Sequence, residues 1–131
     1  MTTTVALAQL NPVCGDIAAN VAMHMTYIEE ALDAHADLIV FPELSLSGYA
    51  LRDQTLGVMR PPGAAEFAPL VECSRHIAVC AGFVEEGDDG IPYNSAFFAD
   101  GGAIVHVHRK MYPPTHGMFE ELRFLGRGRI L

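Results

Sequence analysis

Hydrophobic positions in the first third of the chain follow two different periods. Residues 5–10 form a short run that is apolar except at Gln9, and residues 38–41 form a continuous apolar run. Such runs are typical of buried strands. Between them, apolar residues recur at intervals of four, four, three and four, the spacing of one stripe on a helix. The stripe consists of Ile17, Val21, Met25, Ile28 and Leu32. Asp16 can cap this helix, which we expect to end near Ala36.

The rest of the pattern predicts a meander that follows a β-α-β unit. Residues 44–63 are rich in glycine and proline and indicate a loop, and residues 65–76 have helical spacing. Three strand-like runs follow, at 77–84, 94–99 and 103–108, separated by turns that contain Asp and Gly. We therefore predict an α/β (α+β) fold with a mixed sheet, helices on one face, and one domain spanning residues 1–131.

Composition and charge narrow the function classes. The 131 residues are 50% hydrophobic and 18% charged, which is a globular composition, and the net charge is −8. An acidic chain without a basic stripe argues against nucleic acid and anionic membranes as partners, and no apolar run approaches the length of a membrane span. The three cysteines include no C-x-x-C pair, and no secretory leader is readable. We therefore expect a cytoplasmic location.

Two charged residues stand at the ends of predicted strands. Glu43 follows the apolar strand at 38–41, and Lys110 follows the strand at 103–108. Open sheets build their sites at the carboxyl ends of strands. A carboxylate there is a plausible general base, and an ammonium beside it can bind an oxyanion that forms on a substrate carbonyl. The alternatives are a structural ion pair or two unrelated surface charges.

Four segments, in chain order, carry a resemblance to a known family. They read A-L-A-Q-L-N-P at 6–12, F-P-E-L-S-L-S-G-Y at 41–49, Y-N-S-A at 93–96, and H-R-K-M-Y-P-P-T-H-G-M-F-E-E at 108–121. Together they resemble the nitrilase superfamily of carbon–nitrogen hydrolases over essentially the whole chain. The extension Tyr49-x-Leu51-x-Asp53 looks most like the glutaminase domain of glutamine-dependent NAD synthetases, or like stand-alone hydrolases close to it.

The resemblance implies a fold, a reaction and three site residues. The family fold is an α-β-β-α sandwich, of which this chain would be the first half. The family reaction uses a Glu-Lys-Cys triad on a small-molecule amide or nitrile and passes through an acyl-thioenzyme, without metal or organic cofactor. Glu43 matches the general base and Lys110 the lysine that stabilises the tetrahedral intermediate. Glu121 matches a second glutamate that positions the substrate and orients the lysine, and its spacing from Phe119 favours it over Glu120.

The nucleophile is the point of departure from the family pattern. The family cysteine follows the second glutamate, whereas the last cysteine here is Cys80, and Cys14 and Cys73 also lie upstream. The resemblance therefore predicts that the chain is the N-terminal part of a longer hydrolase with its cysteine beyond residue 131. Alone it would be inactive, with an apolar sheet face uncovered and a tendency to associate; the complete hydrolase would form a homo-oligomer.

Two other interpretations stay open from the sequence. His106 and His108 form an H-x-H pair with His116 nearby, so a metal site is conceivable, although no acidic residue has zinc-type spacing. The chain could also be an inactive fragment or pseudoenzyme that serves as a binding or interaction module. A cysteine in the family context downstream of residue 131 would favour the enzyme.

Overall fold

A five-stranded mixed sheet organises the chain, as seen in a computed structural model that describes residues 2–116 and 119–129. The strands stand in the sheet in chain order. They are β1 (Val5–Leu7), β2 (Leu38–Val40), β3 (Ala78–Glu86), β4 (Pro92–Asp100) and β5 (Ala103–Arg109). β1, β2 and β3 are parallel, whereas β4 pairs antiparallel with both β3 and β5. The carboxyl ends of β2, β3 and β5 and the start of β4 therefore share one edge of the sheet.

Four α-helices and two 3₁₀ turns connect the strands. They are α1 (Ile17–Asp33), α2 (Thr55–Val58), α3 (Ala68–Cys73) and α4 (Glu121–Phe124), with 3₁₀ turns at Arg52–Gln54 and Ala65–Phe67. α1 begins where the sequence predicts, since the Asp16 carboxylate accepts a hydrogen bond from Ala19 N at 3.0 Å. No helix in residues 2–116 and 119–129 combines the length and the hydrophobicity needed to cross a membrane.

The hydrophobic core lies between one face of the sheet and the helices. Ile28 of α1 and Leu70 of α3 are fully buried, as is Phe67 in the turn before α3. Phe67 contacts the rings of Phe83 on β3 and Phe97 on β4, with centroids 5.4 and 6.0 Å away. The expected α/β fold, a mixed sheet with its helices on one face, is confirmed.

The opposite face of the sheet has no layer over it in the described residues. Side chains alternate between faces, so paired positions in neighbouring strands form a row across this face. The row runs through Leu7, Val40, Cys80, Phe98 and His106. Leu7 is 79% exposed, and Val40, Cys80 and Phe98 are only half-buried. An uncovered apolar face was expected for the first half of a sandwich.

Element boundaries differ from the sequence pattern in several places. β1 ends at Leu7, not at residue 10, because its single neighbour β2 offers only a short ladder. β2 stops at Val40, two residues before Pro42, which has no N–H to donate. The helix expected at 65–76 is a 3₁₀ turn followed by α3, and the loop at 44–63 contains α2. β3 extends to Glu86 and β4 begins at Pro92, so their hairpin ladder is longer than expected.

A buried ion pair ties β3 to β5 directly beside Lys110. Glu85 is buried and accepts hydrogen bonds from Arg109 at 2.7 and 3.0 Å and from Ser95 Oγ at 2.6 Å. The Arg109 guanidinium also lies 4.1 Å from the centroid of the Tyr93 ring. Hydrogen bonding to Glu85 raises the pKa of Arg109, so the guanidinium keeps its charge.

Removing Glu85 should therefore destabilise the fold. Glu85→Ala leaves Arg109 without its carboxylate, and we expect a loss of about 2–3 kcal/mol, since Arg109 is partly exposed. Urea unfolding at neutral pH measures the change. The matched control is Glu72→Ala, which breaks the exposed Glu72–Arg75 pair at 2.7 Å and should cost less than about 1 kcal/mol. Equal losses of unfolding free energy in the two variants would show that the buried pair stabilises the fold no more than the exposed pair does.

Candidate active site

The carboxyl ends of β2 and β5 lie too far apart for their side chains to meet unaided. β3 and β4 stand between them, so the separation is three strand spacings, or roughly 14 Å. The chain that follows β2 closes most of this gap. It turns sharply over the middle of β3, at Gly82, and carries Glu43 toward β4 and β5.

The turn over β3 depends on Gly82. Ser45 N donates to Pro42 O at 3.2 Å, which closes a tight turn with Glu43 and Leu44 at its centre. Leu44, at the second central position, adopts a φ of 50°, in the left-handed region that a type II turn uses there. The turn presses on β3 so closely that a Cβ at Gly82 would lie 2.4 Å from Leu44 N and 2.8 Å from Pro42 O. Only glycine lets the chain cross there.

Lys110 lies between two carboxylates. Its Nζ donates to Glu43 Oε1 at 2.6 Å and to Glu121 Oε1 at 2.9 Å. Its backbone is held on both sides, since Lys110 N donates to Asn94 O at 2.8 Å and Lys110 O accepts from Gly128 N at 2.9 Å. The structure thus brings Glu43, Lys110 and Glu121 together at one edge of the sheet, as their strand-end positions suggested for the first two.

Glu121 is the buried member of this cluster. It opens α4, is 6% exposed, and accepts a hydrogen bond from Tyr49 Oη at 2.6 Å. Asn94 Nδ2 donates to Glu121 Oε2 at 3.3 Å and to Glu43 Oε1 at 2.6 Å, so it bridges the two carboxylates. Glu120 instead pairs with Arg123 at the surface, at 3.5 Å. Of the two neighbouring glutamates, Glu121 therefore contacts Lys110 and Glu120 does not. The F-x-E spacing had favoured the same residue.

These contacts keep the cluster charged. Burial alone would lower the pKa of Lys110, but hydrogen bonds and charge from Glu43 and Glu121 raise it above its ordinary value. Burial would likewise raise the pKa of Glu121, but hydrogen bonds from Tyr49, Lys110 and Asn94 hold it below the usual range. Burial and the hydrogen bond to Glu121 raise the pKa of Tyr49, so its hydroxyl keeps its proton. The cluster therefore holds one ammonium and at least one carboxylate at neutral pH.

Two cavities adjoin the cluster. One, of about 470 Å³, lies over the uncovered sheet face and is lined by Glu43, Gly82, Asn94, His108 and Lys110, among others. The other, of about 490 Å³, is lined by Tyr49, Leu51, Phe119, Glu121 and Phe124, among others. The Glu43 side chain is 46% exposed and that of Lys110 31%. Both can therefore be reached by a small molecule.

Three residues of this site received no role from the sequence. Tyr49 and Asn94 were part of the segments that carry the family resemblance, but nothing in their spacing indicated that they contact Glu121. Gly82 lies in none of the four segments that carry the resemblance. The signal that could have found it is its place inside an apolar strand, which often marks a close backbone approach.

The cysteines stand apart from the cluster in the described residues. The contacts of Glu43 and Lys110 in this part of the chain include no cysteine. Cys14 is exposed, whereas Cys73 and Cys80 are half-buried and burial raises the pKa of both thiols. Neither half-buried thiol is therefore activated as a thiolate.

The histidine pair on β5 has few partners for a metal ion. The rings of His106 and His108 stack with centroids 6.4 Å apart. Across residues 2–116 and 119–129, no group of three or more His, Cys, Asp or Glu side chains is arranged to hold a metal ion.

Gly117 and Met118, which belong to the resembling segment, lie outside the described residues.

A histidine buried under the Glu43 turn should make stability pH-dependent. His24 is fully buried, and desolvation lowers its pKa from 6.5 to about 4. As pH falls, the unfolded chain binds a proton at this histidine before the folded chain does. The contribution of neutral His24 to the free energy of unfolding is therefore complete above about pH 6.5 and is lost as pH falls toward 4. The lowered pKa corresponds to a loss of about 3 kcal/mol in unfolding free energy. His24→Gln should flatten the fall in unfolding free energy across this window, whereas His76→Gln, at an exposed site, should leave it unchanged.

Comparison with known proteins identifies the family. The model of the carbon-nitrogen hydrolase family matches residues 4–129. The glutamine-dependent NAD(+) synthetase of Thermotoga maritima is 34% identical over 132 residues, an alignment that covers 97% of this chain and 22% of that protein. The chain therefore spans about a fifth of the length of such curated relatives.

Solved structures agree with the sequence comparison. A glutamine-dependent NAD+ synthetase from Acinetobacter baumannii, in complex with ADP, superposes with a TM-score of 0.85 at 36% identity and covers 96% of this chain and 24% of its own. A variant of the amidase from Nesterenkonia sp. AN1 shares the fold, with a TM-score of 0.82 at 22% identity and coverage of 98% and 51%. From these matches we conclude that the chain belongs to the carbon-nitrogen hydrolase family.

Proposed function

We propose that the chain supplies the Glu-Lys part of a Glu-Lys-Cys site that hydrolyses a small-molecule amide or nitrile. The observation that carries the proposal is Lys110 Nζ held at 2.6 Å from Glu43 and 2.9 Å from Glu121 beside an open cavity. An ammonium fixed in this way is a ready donor for charge that develops on a substrate oxygen.

The proposed reaction follows from the two exposed members of the cluster. Glu43 takes the proton of a cysteine thiol, and the thiolate sulfur attacks the amide carbon. The carbonyl oxygen becomes an oxyanion that Lys110 stabilises, and Glu43 then protonates the nitrogen, which leaves as ammonia. Water, deprotonated by Glu43, attacks the thioester and releases the carboxylic acid and the free thiol. Glu121 keeps Lys110 oriented throughout and positions the substrate.

The cysteine in this proposal lies in a segment beyond residue 131. None of Cys14, Cys73 and Cys80 matches the family position, and the relatives are several times longer than this chain. We further propose glutamine as the amide, since the relatives at 34% and 36% identity are glutamine-dependent synthetases. A cytoplasmic location and a homo-oligomeric complete enzyme remain predictions from the sequence.

The test is to express the chain together with the coding sequence that follows it. We expect that sequence to encode a cysteine followed by an acidic residue, and the product to release ammonia from glutamine. A diazoketone analogue of glutamine should add to that cysteine and increase its peptide mass. The 131-residue chain alone should release no ammonia. A downstream sequence without cysteine in any frame, together with no ammonia release, would instead support the inactive binding module.

A further inference from the structure

A polar contact with no part in the proposed reaction joins α1 to the Glu43 turn. His24 is 0% exposed, and its Nε2 lies 2.8 Å from Ser45 Oγ while its Nδ1 lies 2.7 Å from Asn20 O. The ring also packs on Phe41, with centroids 4.0 Å apart. Ser45, equally buried, is two residues beyond Glu43.

The partners of His24 determine where its proton lies. A carbonyl oxygen can only accept, so Nδ1 must carry the hydrogen and donate to Asn20 O. Nε2 is then an acceptor, and the Ser45 hydroxyl donates to it. Burial lowers the pKa of His24 to about 4, which keeps the ring neutral and this arrangement intact near neutral pH.

Ser45 in turn holds the strained part of the turn. Its backbone N–H closes the turn on Pro42 O, and the residue before it, Leu44, has a φ of 50°. This conformation is unfavourable for leucine, so the surrounding structure must impose it. A second hydrogen bond joins α1 to the chain just after this turn, because Asn20 Nδ2 donates to Leu46 O at 3.2 Å.

We propose that His24, acting through Ser45, is a positioning residue for Glu43. The proposal rests on the proposed function, in which Glu43 is the general base. His24 touches no reacting atom. Its hydrogen bond fixes the turn that carries Glu43 across Gly82 to Lys110 and Asn94, and so fixes where the base meets its substrate.

The test replaces Ser45, because its side chain is small and its hydroxyl is the link to His24. Ser45→Ala removes the link, and Ser45→Thr keeps a hydroxyl as the conservative rescue. Ser74→Ala is the matched control, since Ser74 is also buried and also loses hydrogen bonds, to Val71 O and Gly102 N, in a different part of the fold. NMR of the Asn94 side-chain amide reports the 2.6 Å bond to Glu43 in the 131-residue chain, and kcat and KM are measured in the extended enzyme.

We expect Ser45→Ala to move the Asn94 amide signals toward those of a solvated amide and to lower kcat between about tenfold and 100-fold, with little change in KM. Ser45→Thr should restore both, and Ser74→Ala should change neither. Unchanged Asn94 signals in Ser45→Ala, or equal changes in Ser74→Ala, would overturn the proposal.

The unmodified protein offers a second test, which does not depend on the folding of any variant. Nitrogen NMR of His24 should show the tautomer protonated at Nδ1. The Nε2-protonated tautomer would contradict the link to Ser45 as described. If the extended enzyme releases no ammonia, the proposed function fails, but the Asn94 and His24 signals still decide whether His24 positions Glu43.

Discussion

Replacing Lys110 by methionine should lower kcat for amide hydrolysis in the extended enzyme by about 10²-fold to 10³-fold, because one preorganised donor to an oxyanion is worth about that much. Methionine keeps a side chain of similar length but removes the charge. The substitution also removes the shared hydrogen-bond donor of Glu43 and Glu121, which both accept from Lys110 Nζ. The two carboxylates would then face each other without a cation between them. Like charges at short range raise a carboxyl pKa, so the pKa of Glu121, now low, should rise.

Two control variants test whether the fall in kcat in Lys110→Met is due to the lost Lys110 ammonium or to the loss of any positive charge in this region. Arg123→Met removes a positive charge from α4 that pairs with Glu120 at the surface, and it should leave kcat within about twofold of wild type. Lys110→Arg keeps a charge in a planar, wider group and should recover only part of the activity. A Lys110→Met enzyme with the wild-type kcat would rule out Lys110 as the oxyanion donor.

Gly82→Ala should have the second largest effect, and it acts through the backbone. The added methyl group would lie 2.4 Å from Leu44 N and 2.8 Å from Pro42 O, and neither backbone atom can move away cheaply. The turn must lift off β3, so Glu43 should lose its contacts with Lys110 and Asn94. We expect a loss of about 1–3 kcal/mol in unfolding free energy and a fall in kcat of about 100-fold.

Gly63→Ala is the matched control for Gly82→Ala. Nothing lies within 4 Å of a Cβ built at Gly63, and its φ needs no glycine, so the same substitution should be tolerated. Urea unfolding and ammonia release measure both variants. A stable Gly82→Ala protein with full activity would show that the turn reaches Lys110 by a path that does not cross β3 so closely.

Local sequence patterns were sufficient to predict α1 and the five strands of the sheet. The apolar period of residues 17–32 predicts α1, and the cap at Asp16 gives its first turn. The apolar runs and Asp-Gly turns predict all five strands and their hairpins, because each signal lies within a few residues of the element it describes. The ends of β1 and β2 differ from the pattern, since the length of these strands is set by the partner strand and not by their own residues.

The site depends on contacts between distant parts of the chain, and these were predictable only in part. Glu43 and Lys110 could be selected because strand ends in this topology share an edge. The crossing over Gly82 could not be foreseen, since it depends on the distance between two backbones. The side-chain contacts of Asn94, Tyr49 and His24 likewise join residues 21 to 72 positions apart, where periodicity carries no information.

The most direct test of the account is the ionisation of Lys110 itself. Lys110 is the only lysine in the sequence, so a chain grown with isotope-labelled lysine gives a single side-chain nitrogen signal. Because Glu43 and Glu121 both bind its ammonium, we predict that the pKa of Lys110 lies above the ordinary lysine value, and that Glu43→Gln and Glu121→Gln each lower it. An ordinary or lower pKa, unaffected by either substitution, would contradict the claim that these three residues form one site.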